Sequence, residues 1–559
     1  MKKSLSIILF CLATIVCQAQ YHIYYSSFGV GGTDTSHVKV TQAGDQLQIS
    51  SADTPPAHPI PGIGTSTTYV DYALDSIFSQ RRYADSTFFC STDITHYQYE
   101  KAGTERILGY LCDKYIINLF SNKIELWVTK DLKVRATPIS SFASLPGTLV
   151  QYCRNGNAYM QLTKVVKDKK LKQIVPAYLG TRKGSKELNQ TEVDRKVLTK
   201  KIFEDDQICF NPGIQKPVEF PYDSVIRCAN GTLILKRVKM DLLPEHYKIF
   251  AEITEYSNGD AYDRTGSIFI IPASTPKSML QAFVDSVGVL PIFTDRNGSQ
   301  YQGIVKTDNY LPAIEMVRFF TPFGVRHYNQ YRSLSDREWA DEVYYKQDVS
   351  ELRPWLSGDV YIGAYIGNYD KGGHKLSLTL KAYPEGDTWS FSDDRFYIAE
   401  PLFNTCNIME MAGQNYGSFF RTDSLTVTFE VPANAERLLL RYITTGHGGW
   451  DTGDEFVPKE NVILIDGKRY YSYTPWREDC GTHRTSNPAS GNFWNGMSSS
   501  DYSRSGWCPG TATQPTYINL TGLKPGKHTL TVAIPEGEPE GGSFSSWNVS
   551  GILIGQYRK

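Results

Sequence analysis

The sequence predicts an all-β protein, and three observations carry that reading. Apolar residues alternate with polar ones through Leu376, Leu378, Leu380 and Ala382, through Leu425, Val427, Phe429 and Val431, and through Leu530, Val532 and Ile534. Period two with one apolar face is the pattern of antiparallel strands. Turn signals punctuate the runs: Asp466-Gly467 follows Val462-Ile463-Leu464-Ile465 as a hairpin signal, and Pro525-Gly526 precedes the Leu530 run. Helical patterns are few and short, the clearest spanning residues 277–287.

The chain has 559 residues, too many for one core, so several domains are expected. Residues 1–19 read as a secretory signal. Lys2-Lys3 starts it, residues 5–16 form an apolar run, and Cys17-Gln18-Ala19 ends it before Gln20. That run is too short to span a bilayer, and no later run is longer and as apolar. The expectation is an exported protein, periplasmic or secreted, with no membrane span. Residues 20–163 form a β-rich accessory domain, with strands at 115–120 and 123–128 joined by a Ser121-Asn122 turn. Residues 164–209, which include Lys167, Lys169, Lys170 and Lys172, read as a linker or exposed helix with a solvated face. Residues 210–385 and 386–559 form two further β-rich units.

Net charge is −1, which offers no global field for nucleic acid. Aromatics make up 13 % of the chain, a content that fits both a Tyr-rich β core and a glycan handler. Eight cysteines follow the signal, an even number that suggests disulfides in an exported chain. Cys209–Cys228 and Cys480–Cys508 are the most natural local pairs; Cys90, Cys112, Cys153 and Cys406 stay unassigned. No CxxC or HxxxH spacing points to a structural metal, and no metal or cofactor is expected.

The chemistry-bearing stretches are three. Asp260-Ala261-Tyr262-Asp263-Arg264-Thr265-Gly266 places two acids and an Arg at the mouth of a strand. An Arg neighbour keeps a carboxylate ionised and burial raises its pKa, and either state serves acid–base work. Gly446-His447-Gly448-Gly449-Trp450-Asp451-Thr452-Gly453-Asp454-Glu455 joins two strands, and its glycines permit close approach to a ligand. His447, Trp450 and Glu455 are expected to line such a cleft. Arg504-Ser505-Gly506-Trp507-Cys508-Pro509-Gly510 ends a long loop that suits sugar or peptide recognition. Nucleophile-elbow, phosphate-loop and dinucleotide fingerprints are absent.

Together these stretches resemble the peptide-N-glycosidase F family, bacterial amidases that remove N-linked glycans. The match runs over about residues 215–559 and includes Arg318-Phe319-Phe320-Thr321-Pro322-Phe323 and Asp348-Val349 leading to Leu356-Ser357-Gly358. The resemblance implies two adjacent antiparallel jelly rolls with the active cleft between them. It places the principal catalytic Asp at Asp263 and a second essential Glu at Glu455. It implies substrate-binding roles for Asp260, Tyr262, Arg264, Arg504 and Trp507, with Tyr262 standing for the usual Trp, and a Cys480–Cys508 disulfide. The tract 273–310 looks like an insertion. The family's third acid has no counterpart in sequence: Gly367 takes its place, with Asp370 three residues on. The N-terminal segment, through Gly109-Tyr110-Leu111-Cys112, Trp127-Val128-Thr129 and Leu145-Pro146-Gly147, resembles small exported β domains of the GLPGLI type. The implied activity is hydrolysis of the amide joining N-acetylglucosamine to Asn in N-linked glycoproteins or glycopeptides, by a monomer. A non-catalytic glycan-binding protein on the same scaffold is the rival, supported by the missing third acid.

Overall fold

The computed structural model describes residues 20–32, 34–53, 62, 64–168, 174–241, 243, 247–384, 395–449, 452–539 and 543–558. The signal segment, Trp450 and Asp451 lie outside the described residues. The chain divides into two compact units, residues 1–197 and 198–559.

In the first unit, twelve strands form one sheet. Neighbours pair antiparallel except for Thr181–Arg182 against Thr87–Asp93. One face buries Ile23, Tyr25, Val40, Leu47, Val70, Trp127 and Val150. The turn expected at Ser121-Asn122 falls one residue earlier: the strands are Tyr110–Leu119 and Asn122–Thr129, and Phe120 takes a φ of 54°. The described residues of 164–209 include the exposed helix that was one of the two expectations, flanked by strands rather than by a linker. They hold the end of the Ala158–Asp168 strand, the Ser185–Lys196 helix and the Leu198–Ile208 strand. That last strand pairs with His374–Pro384 and so belongs to the second unit. Charge alone hid it, because its buried residues, Ile202, Phe203 and Ile208, are interrupted by bulges rather than strictly alternating.

The second unit holds two sandwiches. The first packs a four-stranded sheet, Leu198–Ile208, His374–Pro384, Tyr247–Ser257 and Val343–Asp348, against a six-stranded one. Alternation along His374–Pro384 buries Leu376, Leu378, Leu380 and Ala382 as the period predicts. The second sandwich pairs the Arg395–Asn404, Ser546–Arg558, Ala435–His447 and Thr516–Asn519 sheet with the Leu425–Val431, Gly526–Ala533, Asn461–Ile465 and Lys468–Tyr473 sheet. Asp466 (φ 51°) and Gly467 (φ 74°) make the hairpin turn with both central residues at positive φ, which matches the twist of the strands they join.

The two sandwiches share structure. Ala512–Thr513, from the second, pairs with Arg318 and Phe319 and so extends a sheet of the first. Buried Arg318 donates to Glu315, to Thr445 Oγ1 and to the Asn548 carbonyl across the seam. Arg441 donates back to the Glu315 and Met316 carbonyls and pairs with Glu351 at 2.8 Å. The helix expected at 277–287 is the shorter Met279–Val284, started by a capping box of Ser278 and Gln281.

Candidate active site

Asp263 sits just before the Thr265–Ile271 strand, and Thr321 fixes its loop. The Thr321 hydroxyl accepts from the Arg264 N–H at 2.7 Å and donates to the Tyr262 carbonyl at 3.0 Å. Glu455 comes from the other sandwich. Its neighbour Asp454 anchors the loop, accepting from the Trp547 indole at 2.6 Å and the Gly537 N–H at 3.0 Å. The Glu455 carbonyl accepts from the Ser505 N–H. None of these anchors engages the carboxylate oxygens of Asp263 or Glu455.

Arg504 joins them. Its Nη2 is 3.0 Å from Asp263 Oδ2 and its Nε 3.0 Å from Glu455 Oε1, with the guanidinium almost fully buried. The remaining donors go to the Ser499 carbonyl and hydroxyl and the Tyr502 carbonyl. All five N–H groups of the fork are therefore committed. Arg504 holds the two acids and has no donor left for a sugar, which corrects its expected role in substrate binding. Burial pushes the Asp263 carboxyl well above the usual carboxylate range; Arg504 pulls it down and the Glu455 charge pushes it further up. Burial also raises Glu455, against the pull of Arg504. Two neighbouring acids with raised, mutually dependent titration, of which Asp263 lines a cavity, are the electrostatic mark of acid–base chemistry.

The other expected residues separate into several roles. Arg264 lines the cavity beside Asp263, its Nε and Nη2 held by Asp260 at 2.7 and 3.3 Å. Asp260 is itself buried and spends its carboxylate on Arg264 and the Tyr262 N–H, so it supports the site rather than meeting substrate. Tyr262 is 61 % exposed, with the Arg264 guanidinium over its ring. Trp507 is 2 % exposed. Its ring stacks on Phe320 at 4.0 Å and its indole donates to the Gly446 carbonyl. Trp507 is thus a packed wall under the cleft and offers no face to a sugar. His447 lines the cavity, bonded to the Thr445 hydroxyl at 2.8 Å. Burial, with the nearby Arg318 charge, lowers it to about 3, so it is neutral at any working pH.

The Cys480–Cys508 disulfide is present and closes the loop that carries Arg504. Cys209 and Cys228 are free thiols. Cys228 turns into the apolar core with Leu233, Leu235 and Phe269, where burial pushes it up to about 12, whereas Cys209 stays partly exposed outside that cluster. The pair suggested by sequence proximity does not form.

A cavity of about 180 Å³ is lined by Asp263, Arg264, Tyr369, Glu410, Tyr416 and His447, with Gly367 beside them. Glu410 was not anticipated. It lies in the short 3-10 turn Glu410–Ala412, and Tyr365, Tyr369 and Tyr416 all donate to its carboxylate. A Cβ added at Gly367 would stand 3.2 Å from Glu410 Oε2 and 2.5 Å from the Tyr365 hydroxyl. The space a side chain at 367 would take is filled first by the Tyr365 ring of the preceding strand and then by the Glu410 carboxylate to which it donates. Asp370, the sequence alternative, bonds the Gly372 and Gly373 N–H groups instead. Nothing in the sequence around Glu410 marks it: Tyr416 is six residues on, but the other two donors, Tyr365 and Tyr369, stand 45 and 41 residues upstream. A larger cavity of about 420 Å³, lined by Tyr247, Arg437 and Tyr517 among others, contains none of these acids. The convergence of buried charge, not volume, selects the smaller one.

Two solved structures of PNGF-II, in space groups C2 and P21, are each 39 % identical to the chain. The first covers 97 % of this chain and 99 % of its own, with a TM-score of 0.77; the second covers 96 % and 99 %, with a TM-score of 0.82. The chain belongs to the peptide-N-glycosidase F family. Family models agree along its length: "Peptide-N-glycosidase F, N terminal" matches residues 199–382, and "Peptide-N-glycosidase F, C terminal" matches residues 415–554. "N-glycanase peptide, N-terminal domain" matches residues 68–191, which replaces the GLPGLI-type reading of that segment. The structure of PNGase F, a glycosylasparaginase from Flavobacterium meningosepticum, matches at 16 % identity over 65 % of this chain and 96 % of its own, with a TM-score of 0.44. No curated protein matches the chain significantly. In this peptide-N-glycosidase F family member the acids of both sandwiches meet at one guanidinium, although their order in the chain separates them.

Proposed function

We infer that the protein is a peptide-N4-(N-acetyl-β-glucosaminyl)asparagine amidase, which cleaves the amide between the innermost N-acetylglucosamine and Asn. Family membership supports the activity, and the observation that carries the site is the Arg504 bridge between Asp263 and Glu455. Water adds to the Asn side-chain carbonyl carbon, the C–N bond breaks, and the leaving nitrogen takes a proton. The products are Asp in the peptide and a glycosylamine that loses ammonia.

Asp263, with its raised titration, handles the proton of the water or of the leaving nitrogen. Glu455 polarises the water or the sugar end. Arg504 keeps both acids in place without reorganisation during the reaction, which is the preorganised electrostatics that lowers such barriers. Arg264 has no partner for Nη1 among the described residues and offers it to an amide or sugar oxygen. Tyr262, exposed at the rim, presents an apolar face to a sugar ring. Glu410, held by three tyrosines, supplies the carboxylate that Gly367 lacks and receives sugar hydroxyls. Its presence removes the main support for a purely binding protein. Export and action on secreted glycoproteins fit the signal-like residues 1–19.

Digestion of a denatured N-glycoprotein should produce a gel shift, with mass spectrometry showing Asn converted to Asp at the glycosylated site. Binding without that conversion would return the rival reading. Asp263→Asn should keep the fold and lose about 10²–10⁴-fold in kcat/KM; full activity would remove Asp263 from the mechanism.

A further inference from the structure

A second, fully buried charge chain lies behind Arg264. Glu255 on the Tyr247–Ser257 strand and His374 at the start of the His374–Pro384 strand are both at 0 % exposure. His374 Nδ1 is 2.8 Å from Glu255 Oε1, and its Nε2 is 3.6 Å from Asp260 Oδ2. Asp260 in turn holds the Arg264 fork. The turn that delivers His374 also carries the Asp260 loop: the Gly373 carbonyl accepts from the Asn258 and Asp260 N–H groups. Gly373 has a φ of 59°, and a Cβ there would come within 2.2 Å of the Ile208 carbonyl oxygen. Both the conformation and the close approach require glycine.

We propose that His374, as a buried imidazolium between Glu255 and Asp260, is a positioning residue that fixes Asp260 and through it holds Arg264 in the cleft. The charge count requires the proton. Arg264 balances Asp260, and with a neutral ring Glu255 would keep hydrogen bonds from the His374 Nδ1–H and the Tyr345 hydroxyl but would be a buried charge with no cation beside it. The titratable and charged groups facing the ring are Glu255, Asp260 and Arg264, with Tyr345 behind Glu255 and Asp370 and Tyr328 flanking the loop. Burial favours the neutral ring, but the two carboxylates outweigh it and raise His374 to about 9. Asp260 is driven the other way, to about 2, by His374 and Arg264 against its own burial. Above the His374 titration the ring no longer screens Glu255 from Asp260, and Arg264 loses its seat.

The kinetic readout rests on the amidase reading; the spectroscopic one does not. With 13C-histidine-labelled full-length protein, the His374 ring signal should titrate near pH 9, and in Glu255→Gln it should titrate about 1–3 units lower. The alkaline limb of kcat/KM for a glycopeptide should move down by the same amount in Glu255→Gln. In His374→Gln the limb should vanish and KM should rise more than kcat falls, because Arg264 binds substrate and transition state alike. If wild type binds glycopeptide without cleaving it, the amidase reading fails and the same limb is read in affinity against pH. A histidine signal titrating near its ordinary value, or an alkaline limb that stays in place when the histidine titration moves, overturns the proposal. Should either variant fail to fold, the wild-type titration alone decides whether the imidazolium exists.

Discussion

At the scale of single residues, the site is a set of charges whose protonation is decided by neighbours. Asp263 is raised partly by the Glu455 charge, so removing that charge must lower it. Carboxyl-labelled NMR should show Asp263 titrating at lower pH in Glu455→Gln than in wild type; an unchanged titration would mean the two acids do not sense one another. His374 is raised as well, and its proton adds to stability. Its folded pKa of about 9 lies above its unfolded value of about 6.5, so its stabilisation is complete below that lower value and is lost as pH rises through 9. The stability gap between wild type and His374→Gln in urea should therefore be wide at pH 6 and close towards pH 10. Asp263, Arg264 and Glu455 were open to sequence reading as candidates, because they stand in recognisable local strings. Arg504 and Trp507 stood in one too, yet their roles changed. Whether a guanidinium has a spare donor, or an indole a free face, depends on partners from other segments.

At the scale of elements, strands were legible and irregular pieces were not. Leu425–Val431 alternates buried and exposed throughout, and the Asp466-Gly467 turn follows from its residues. The Leu198–Ile208 strand was lost in a lysine-rich stretch because its bulges break the alternation. Residues 273–310, an apparent insertion, touch both sandwiches: Met279, Phe283 and Tyr310 pack with Leu233, Leu235 and Phe269 on one face of the six-stranded sheet, and Tyr301 and Ile304 enter the core of the second sandwich. The Cys480–Cys508 loop matters for the same reason, since Ser499, Tyr502 and Arg504 all lie inside it. The two cysteines are 28 residues apart, so chain-entropy arguments give the disulfide about 3–4 kcal/mol. Cys480→Ala/Cys508→Ala should lower the thermal midpoint and reduce kcat/KM in parallel, as calorimetry and the glycopeptide assay would show. Retained activity at reduced stability would mean the loop holds its shape without the bridge.

At the scale of the whole second unit, the cleft exists because two sandwiches are locked into one body. The lock is polar. Arg318 is fully buried and reaches Thr445 and Asn548 across the seam, while Ser267 and Ser550 complete the Glu315 carboxylate from either side. Removing one member leaves a buried charge without its partner. Arg318→Ala should cost about 3–5 kcal/mol in urea unfolding. It should also loosen the seam enough to raise hydrogen exchange along Ala512–Thr513. Unchanged exchange there would show that apolar packing alone holds the sandwiches together.

The sequence by itself determined the β class, the run of most strands and the hairpin turns, and it offered Asp263 and Glu455 as candidates, because each of these is written in residues that are neighbours along the chain. Only the tertiary structure decided that one arginine would join those acids, that Tyr365 and Glu410 would close in beside Gly367, and that Cys209 and Cys228 would remain free thiols. Those outcomes depend on which side chains two separately folded sheets bring face to face, and burial there sets both the charge state and the partner of every group.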